Sequence, residues 1–367
     1  MMKSKIFFVI PSLDYYGGAE RMMFNILSYI NLEKFDVTLV LFTQTGDFIS
    51  SLNPKIKVRI LKVNRIKFYL FKFIPFLFKE KPDIVFTGWG ELSAFLAPFI
   101  PFFPKIKFIA RETNIVSRHV TRKEIKFFYK FYNNYYKIIA QSDDMKNDLI
   151  EKIKVKPEKI VKINNPVDFD FIEEKLSETL DDERFQNKKF KKVLAVGNLS
   201  YRKGIDNLLK VFSHLKNEKI ELFILGTGTQ EEEYKKMKME LDLQNVHFWG
   251  IKNNPYQYFA NADLFVLSSR YEGFPNVLLE AGACGTYALA NDCPGGIREI
   301  IQPKINGEIA DIENHKKFAE KIIEILNETF DGEIIKNSIK SRFSKEIIMG
   351  KYEEILENAS RKVGNAD

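Results

Sequence analysis

Short apolar runs alternate with amphipathic stretches along almost the whole chain. The first, "KIFFVI" (residues 5–10), leads into a loop with paired glycines, and from about Ala19 apolar positions recur at helical spacing. Strand, loop and helix are predicted in that order. The runs "DVTLVLFT", "KVRILKV", "PDIVFTG", "KIKFIARE" and "YKIIAQSD" follow, rich in β-branched and aromatic residues and separated by helical patterns. This alternation predicts a parallel sheet covered by helices. The polar stretch "SETLDDERFQNKKFKK" then reads as a surface linker. Beyond it comes a second series: "KVLAVGNLS", a helix through "NLLKVFSHL", then "IELFILGTG", "NVHFWGI", "ADLFVLSS" and "TYALAND". The expected organisation is an α/β domain over residues 1–186, a second over 187–344, and a charged amphipathic helix over 345–367 that packs back on the first. Ligands of doubly wound sheets bind outside the carboxyl ends of the strands, so the expected site is a cleft where two such sheets meet.

Composition agrees with this outline and narrows the ligand. A length of 367 residues exceeds one compact core, and 45% hydrophobic with 14% aromatic residues supplies an ordered interior. Lys and Arg number 56 against 49 acids, a net charge of +7 that favours an anionic ligand or surface. The only cysteines, Cys284 and Cys293, are too few for a disulfide framework or a zinc site and fit a reducing cytoplasm. "MMKSKIFFVI" leads into a glycine-rich turn and not into a small-residue cleavage site, and the most apolar region, "FLAPFIPFFP", is broken by three prolines. Any membrane contact is therefore expected to be peripheral. No nucleic-acid-binding motif occurs, so nucleic acid is not an expected partner.

Two stretches carry candidate chemistry. "VGNLSYRKGIDNLL" places Arg202, Lys203 and Gly204 in the turn between a strand and the next helix, where two cations beside unpaired helix N–H groups would seat a diphosphate. A solvated basic turn is the plainer alternative. A phosphate loop of the G-x-x-x-x-G-K-[ST] type and a G-x-G-x-x-G after the first strand are both missing, which weakens nucleotidase and dehydrogenase readings. "LGTGTQ" offers only G-x-G, and Gly226 and Gly228 fit a simple turn as well as a ligand approach. The second stretch, "SRYEGFPNVLLEA", puts Glu272 in a Gly/Pro turn and Glu280 eight residues later in the helix that follows. At helical rise that separation is at most about 12 Å, comparable to the distance from sugar to ribose in a folded sugar nucleotide. Glu280 could then accept from ribose hydroxyls while Glu272 meets the sugar and the charge growing at its anomeric carbon. Glu280 could also sit on a solvated helix face, although its neighbours are small and apolar.

"EGFPNVLLE" resembles the E-x7-E signature of retaining glycosyltransferases of family 4, an α/β family of GT-B architecture with two Rossmann-like doubly wound domains facing across a cleft. "GGAER" (17–21), "NNPVD" (164–168), "GNLSYRKG" (197–204) and "NDCPGGIREII" (291–301) fall in the order this family shows, and the likeness covers nearly the whole chain. The resemblance implies transfer of a sugar from a UDP-sugar donor with retention of anomeric configuration, without a metal or other cofactor. Arg202 and Lys203 would hold the diphosphate, Glu280 the ribose, and Glu272 the donor sugar. Gly17 and Gly18 would let the first-domain loop approach without a Cβ. Asn198, Gly226, Phe274, Pro275, Asn276 and Val277 would complete the donor side, with Glu20 and Glu112 as acceptor-side candidates. Many members carry a His after the strand matching "KFIARETN"; here Arg111, Glu112, Thr113 and Asn114 stand there, and His119 reads as a helix-surface residue. The triplet "DFD" (168–170) is explained by the resemblance as a chain crossing and not as a metal site.

The variant is most similar to members adding N-acetylhexosamines or hexoses to bacterial lipid-linked or surface glycans. "NRIKFYLFKFIPFLFKEK" (64–81) and "TRKEIKFFYKFYNNYYKI" (121–138) mix Lys/Arg with Phe/Tyr, as helices lying in a bilayer interface do, or as core faces with snorkelling lysines do. Together they suggest a polyprenyl-diphosphate-linked or lipid-anchored glycan acceptor and a cytoplasmic protein peripheral on the inner, anionic face of the membrane. Competing expectations are a GT-B sugar-nucleotide epimerase or phosphorylase, and a non-catalytic partner subunit.

Overall fold

The computed structural model describes residues 3–13, 18–43, 46–63, 68–180 and 182–361. It divides into two units, Met1–Pro166 with Lys345–Asp367, and Val167–Ser344. The first unit is built on seven strands, β1 (Ser4–Ile10), β2 (Phe35–Leu41), β3 (Lys57–Ile60), β4 (Ile84–Thr87), β5 (Lys107–Arg111), β6 (Lys137–Ala140) and β7 (Ile160–Lys162), in the order β3-β2-β1-β4-β5-β6-β7. All neighbours pair in parallel, with Ser4 opposite Phe35 and Ile6 opposite Ile84. Alternation along β1 sends Phe7 and Val9 into one buried cluster and Ile6, Phe8 and Ile10 into the other, so helices cover both faces.

The second unit repeats the plan with six strands: β8 (Lys191–Val196), β9 (Ile220–Leu225), β10 (Val246–Gly250), β11 (Leu264–Leu267), β12 (Ala288–Asn291) and β13 (Gly307–Ala310). Their order is β10-β9-β8-β11-β12-β13, again parallel throughout. In each unit the strand order reverses beside the first strand. The carboxyl ends of β1 and β8 are therefore the switch points at which such sheets bind ligands.

The expected boundary at residues 186/187 differs from the observed one after Pro166. The helix Phe169–Leu176 buries Phe169 and Ile172 in the second unit, and the short helix Glu183–Gln186 buries Phe185 there, edge-on to Phe223 at 4.9 Å. The polar run is thus the surface of an anchored segment, not a linker. The helix Lys345–Arg361 belongs to the first unit, with Ile348, Tyr352 and Leu356 in its core. Lys34 Nζ meets Glu353 and Glu357 at 3.2 and 2.8 Å, and buried Arg111 donates from Nε to Tyr352 Oη at 3.0 Å and from Nη2 to Asn165 Oδ1 at 2.7 Å.

Beside Arg111 in sequence, Glu112 points into the opposite face of the sheet. Its carboxyl is buried and accepts from the hydroxyls of Tyr132 and Tyr129. Burial pushes this carboxyl up to about 7 against the tyrosine hydrogen bonds, which favour the ionised form. A group whose pKa is raised on folding contributes most below its ordinary value near 4.5 and loses that contribution as pH rises to about 7. We expect Glu112→Gln to gain stability relative to the parent as pH is raised through this window, by an amount on the order of 3 kcal/mol at the top of it. Chemical denaturation of both proteins across pH 4.5–8 reads this directly, and a difference independent of pH would contradict the burial argument.

Candidate functional site

At the end of β8 the chain passes through Gly197 and an exposed Asn198 into a short 3-10 turn, Tyr201–Lys203, and then the helix Ile205–Ser213. Gly204 joins turn to helix with φ +63°, and a Cβ there would stand 2.2 Å from the carbonyl oxygen of Ser268. Only glycine permits this approach. The loop after β11 closes over the turn through Ser268 Oγ to the Lys203 carbonyl at 2.8 Å and the Arg270 backbone N–H to the Arg202 carbonyl at 2.8 Å. The Arg270 guanidinium donates to the Tyr201 carbonyl at 2.7 Å and to both oxygens of Asp206 at 2.8 and 2.6 Å, and it lies 4.1 Å from the centre of the Tyr201 ring. A planar, forked cation suits this two-sided contact better than lysine would. The backbone carrying Arg202 and Lys203 is thereby fixed from several directions.

The same loop supplies their counter-charge. Glu272 is buried, and its Oε1 accepts from Lys203 Nζ at 2.7 Å and from Ser269 Oγ at 2.6 Å, while Arg202 Nη1 pairs with Oε2. Burial alone would push this carboxyl up, but the charges of Lys203 and Arg202 with the hydrogen bonds from Lys203 and Ser269 pull it down to about 2. Lys203, itself taken out of water, is held below its usual range by burial, with Glu272 opposing that shift. The Glu272 backbone N–H donates to the Pro294 carbonyl at 2.9 Å, and Asn291 Nδ2 holds the Ser269 carbonyl at 2.9 Å, so the segment 291–296 supports the acid from behind. The cluster has two cations and one anion and keeps a net positive charge at the carboxyl end of β8.

Phe274 and Pro275 are buried at the turn that opens the helix Asn276–Ala283, with the Phe274 ring 5.5 Å from that of Phe343. Asn276, Val277 and Glu280 are half-buried on that helix. Gly226 follows β9 with φ +126°, where a Cβ would meet the Gly197 carbonyl oxygen at 2.0 Å. It is required by the close approach of the loops after β8 and β9 to one another. The structure thus brings Arg202, Lys203 and Glu272 into direct contact and places Asn198 and Gly226 on the adjoining loops. In the first unit Gly18 opens the helix Gly18–Tyr29, where a Cβ would meet nothing within 4 Å among the described residues beyond its chain neighbours and its own helix backbone, and Glu20 is buried in the first turn. Gly17 lies outside the described residues. Asp168 of the "DFD" triplet caps the helix Phe169–Leu176 through Oδ1 and the Phe171 N–H at 3.3 Å.

Sequence reasoning missed Asp206, Ser268, Ser269 and Arg270. Three of them lie inside the stretches that drew attention and Ser268 directly precedes the second, but the pairing of Arg270 with Asp206 spans 64 positions and leaves no mark on local spacing.

Comparison with known proteins identifies the family. The family model for Glycosyltransferase Family 4 matches residues 16–171 and that for Glycosyl transferases group 1 matches residues 177–342. Among relatives, the N-acetylgalactosamine-N,N'-diacetylbacillosaminyl-diphospho-undecaprenol 4-alpha-N-acetylgalactosaminyltransferase of Campylobacter jejuni is 26% identical over 89% of this chain and 91% of its own length. An amylovoran biosynthesis glycosyltransferase of Erwinia amylovora is 26% identical over 96% of this chain and 99% of its own. Anabaena HepE, solved in complex with UDP and glucose, has the same fold, with a TM-score of 0.79 at 20% identity over 97% of this chain and 100% of that one. With both matches in tandem and the fold in agreement, the chain belongs to the family 4, group 1 glycosyltransferases of GT-B architecture.

Proposed function

We propose that this protein transfers a hexose or N-acetylhexosamine from a UDP-sugar to a glycan or polyprenyl-diphosphate-linked acceptor during assembly of a bacterial surface or lipid-linked glycan, with retention of anomeric configuration and without a catalytic metal. The observation that carries this reading is the cluster of Arg202 and Lys203 around Glu272, fixed at the switch point of the second sheet. The bond between the anomeric carbon and the diphosphate oxygen breaks and both its electrons stay with the diphosphate. Arg202 and Lys203 stabilise that growing negative charge. The acceptor hydroxyl oxygen forms the new bond on the same face, and its proton leaves with the departing diphosphate. Glu280 holds the donor's ribose, and Glu272 serves twice, fixing the cations and facing the sugar from the turn.

The Campylobacter relative is named for a diphospho-undecaprenol acceptor, and structural neighbours were solved with UDP or UDP-glucose. Both agree with a nucleotide-sugar donor and a lipid-borne acceptor for this chain. No helix among the described residues is long and apolar enough to cross a membrane. We place the protein at the inner face of the cell membrane as a peripheral enzyme.

A thermal-shift panel with UDP, UDP-glucose, UDP-N-acetylglucosamine, UDP-N-acetylgalactosamine, GDP-mannose and ADP-glucose tests the donor site. Stabilisation by UDP and one UDP-sugar, lost in Arg202→Ala and Lys203→Ala, is the expected result; no shift with any nucleotide would overturn the reading. In transfer assays Lys203→Ala should lower kcat by roughly 10²-fold or more, whereas Glu280→Ala should act mainly on donor binding. Full activity of the Lys203 variant would remove the phosphate assignment. Asp206→Asn, which weakens the grip of Arg270 on the turn, should lower kcat/KM by about tenfold in the parent and have little further effect once Lys203 is already Ala. Equal losses in both backgrounds would show that Asp206 does not act through the cationic turn.

A further inference from the structure

We infer that one face of the first unit, bearing Phe71, Phe78, Phe102 and Phe127, docks into an anionic bilayer interface. This gives the peripheral placement proposed above a definite surface, and it rests on that reading. The helix Tyr69–Glu80 buries Tyr69, Phe73 and Leu77, as an ordinary core helix does. Its solvent side carries apolar residues beside the exposed Lys72 and Lys79. Phe71 is 77% and Phe78 56% exposed, with exposed Pro75 between them at helical spacing. Part of the segment that drew attention in the sequence, residues 64–67, lies outside the described residues.

Two neighbouring elements extend this surface. Phe78 packs 4.6 Å from Phe103, directly after the 3-10 turn Ala97–Phe102, where Phe102 is 68% exposed. That turn contacts the helix Lys123–Tyr129, whose Phe127 is 52% exposed. Phe102 falls in neither of the two stretches singled out in the sequence, and only the fold brings it alongside them. Exposed aromatics of this size, gathered on adjoining elements, mark an interaction surface.

The charges around them select the occupant. Lys79, Lys105, Lys123, Lys126 and Lys130 are exposed on or beside these elements, and Lys130 Nζ lies 5.4 Å from the centre of the Phe127 ring. Among the acids of the same three elements and the adjoining helix Gly90–Leu96, Glu80 pairs with Lys5 and Glu91 with Arg122, while Glu124 is exposed. Lysine is depleted at protein interfaces, and a symmetric contact between two copies would set these lysines against themselves. Aromatic tips with lysines beside them suit the boundary between acyl chains and anionic headgroups, where the rings enter and the amines stay with the lipid phosphates.

The test uses the full-length protein with vesicles that contain no glycan acceptor, so its outcome is independent of transfer activity. The parent should float with phosphatidylcholine vesicles containing phosphatidylglycerol and not with phosphatidylcholine alone. Phe71→Ser/Phe102→Ser should weaken that binding at least about tenfold, and Lys126→Glu/Lys130→Glu should weaken it most at low salt. Melting temperature and stabilisation by UDP should be unchanged in both variants. Failure of the parent to float, flotation of the Phe variant like the parent, or conversion of a dimer to a monomer by that variant in light scattering would each overturn the inference. Loss of the UDP response in the parent would strike at the proposed reaction and leave this surface untouched.

Discussion

Taking Glu272 out of water costs several kcal/mol for the ion alone, and the penalty is offset only because Lys203, Arg202 and Ser269 surround the carboxylate. The cations have the converse need. Lys203 is itself nearly buried, and two adjacent positive side chains on one short turn would repel each other without an anion between them. Much of the local architecture follows from keeping these three groups together: a glycine that lets the turn press on the Ser268 carbonyl, a forked arginine that ties the turn to Asp206, and a supporting segment behind Glu272. Replacing such a cluster with well-packed apolar residues often leaves stability unchanged or improves it. Stability therefore does not account for its presence at the strand-order switch point, the place where doubly wound sheets in general bind ligands.

The two units use one scaffold for opposite electrostatic ends. In the second, the end of β8 leads to cations whose charge exceeds that of their partner, leaving a positive field for an anion. In the first, the residues ending β5 are turned inward: Arg111 is held by the neutral groups of Tyr352 and Asn165, and Glu112 sits under Tyr132 and Tyr129 with its proton affinity raised. Within the fold both oxygens of this carboxyl are taken up by the two tyrosine hydroxyls, which tie the end of β5 to the segment 129–132. The contact of Tyr352 with Arg111 also explains why the last helix belongs with the first unit despite its distance in sequence.

Most of the sheet structure was legible because buried parallel strands carry near-continuous apolar runs, and the central strands of both units stand out in the sequence. The strands missed, β7 and β13, are edges of three and four residues with only half-buried patterns, too short to show a period. The domain boundary was misplaced for a related reason. Phe185 is a lone aromatic inside a charged run, and only its contact with Phe223 shows that the run is anchored. At the site, Arg202, Lys203 and Glu272 were legible from residue type and turn chemistry, whereas the clamp around them depends on contacts across 64 to 70 positions. The burial of Glu112 was hidden too, since "RETN" reads as polar and its tyrosine partners lie 17 and 20 residues on.

The eight-residue interval between the two acids can now be resolved into parts. Glu272 lies in the turn, and the helix begins at Asn276, so only the last four steps, about 6 Å of rise, separate Glu280 from the helix start. The acids therefore stand in different electrostatic settings although they share a motif. Glu272 is held ionised by two cations, while Glu280 is half-buried a full turn into the helix, on a different element from that cluster. A ligand that needs both must present negative charge to the cations and neutral hydrogen-bond donors to the second acid. A diphosphate flanked by a ribose meets both demands, and a lone phosphate or carboxylate meets only the first.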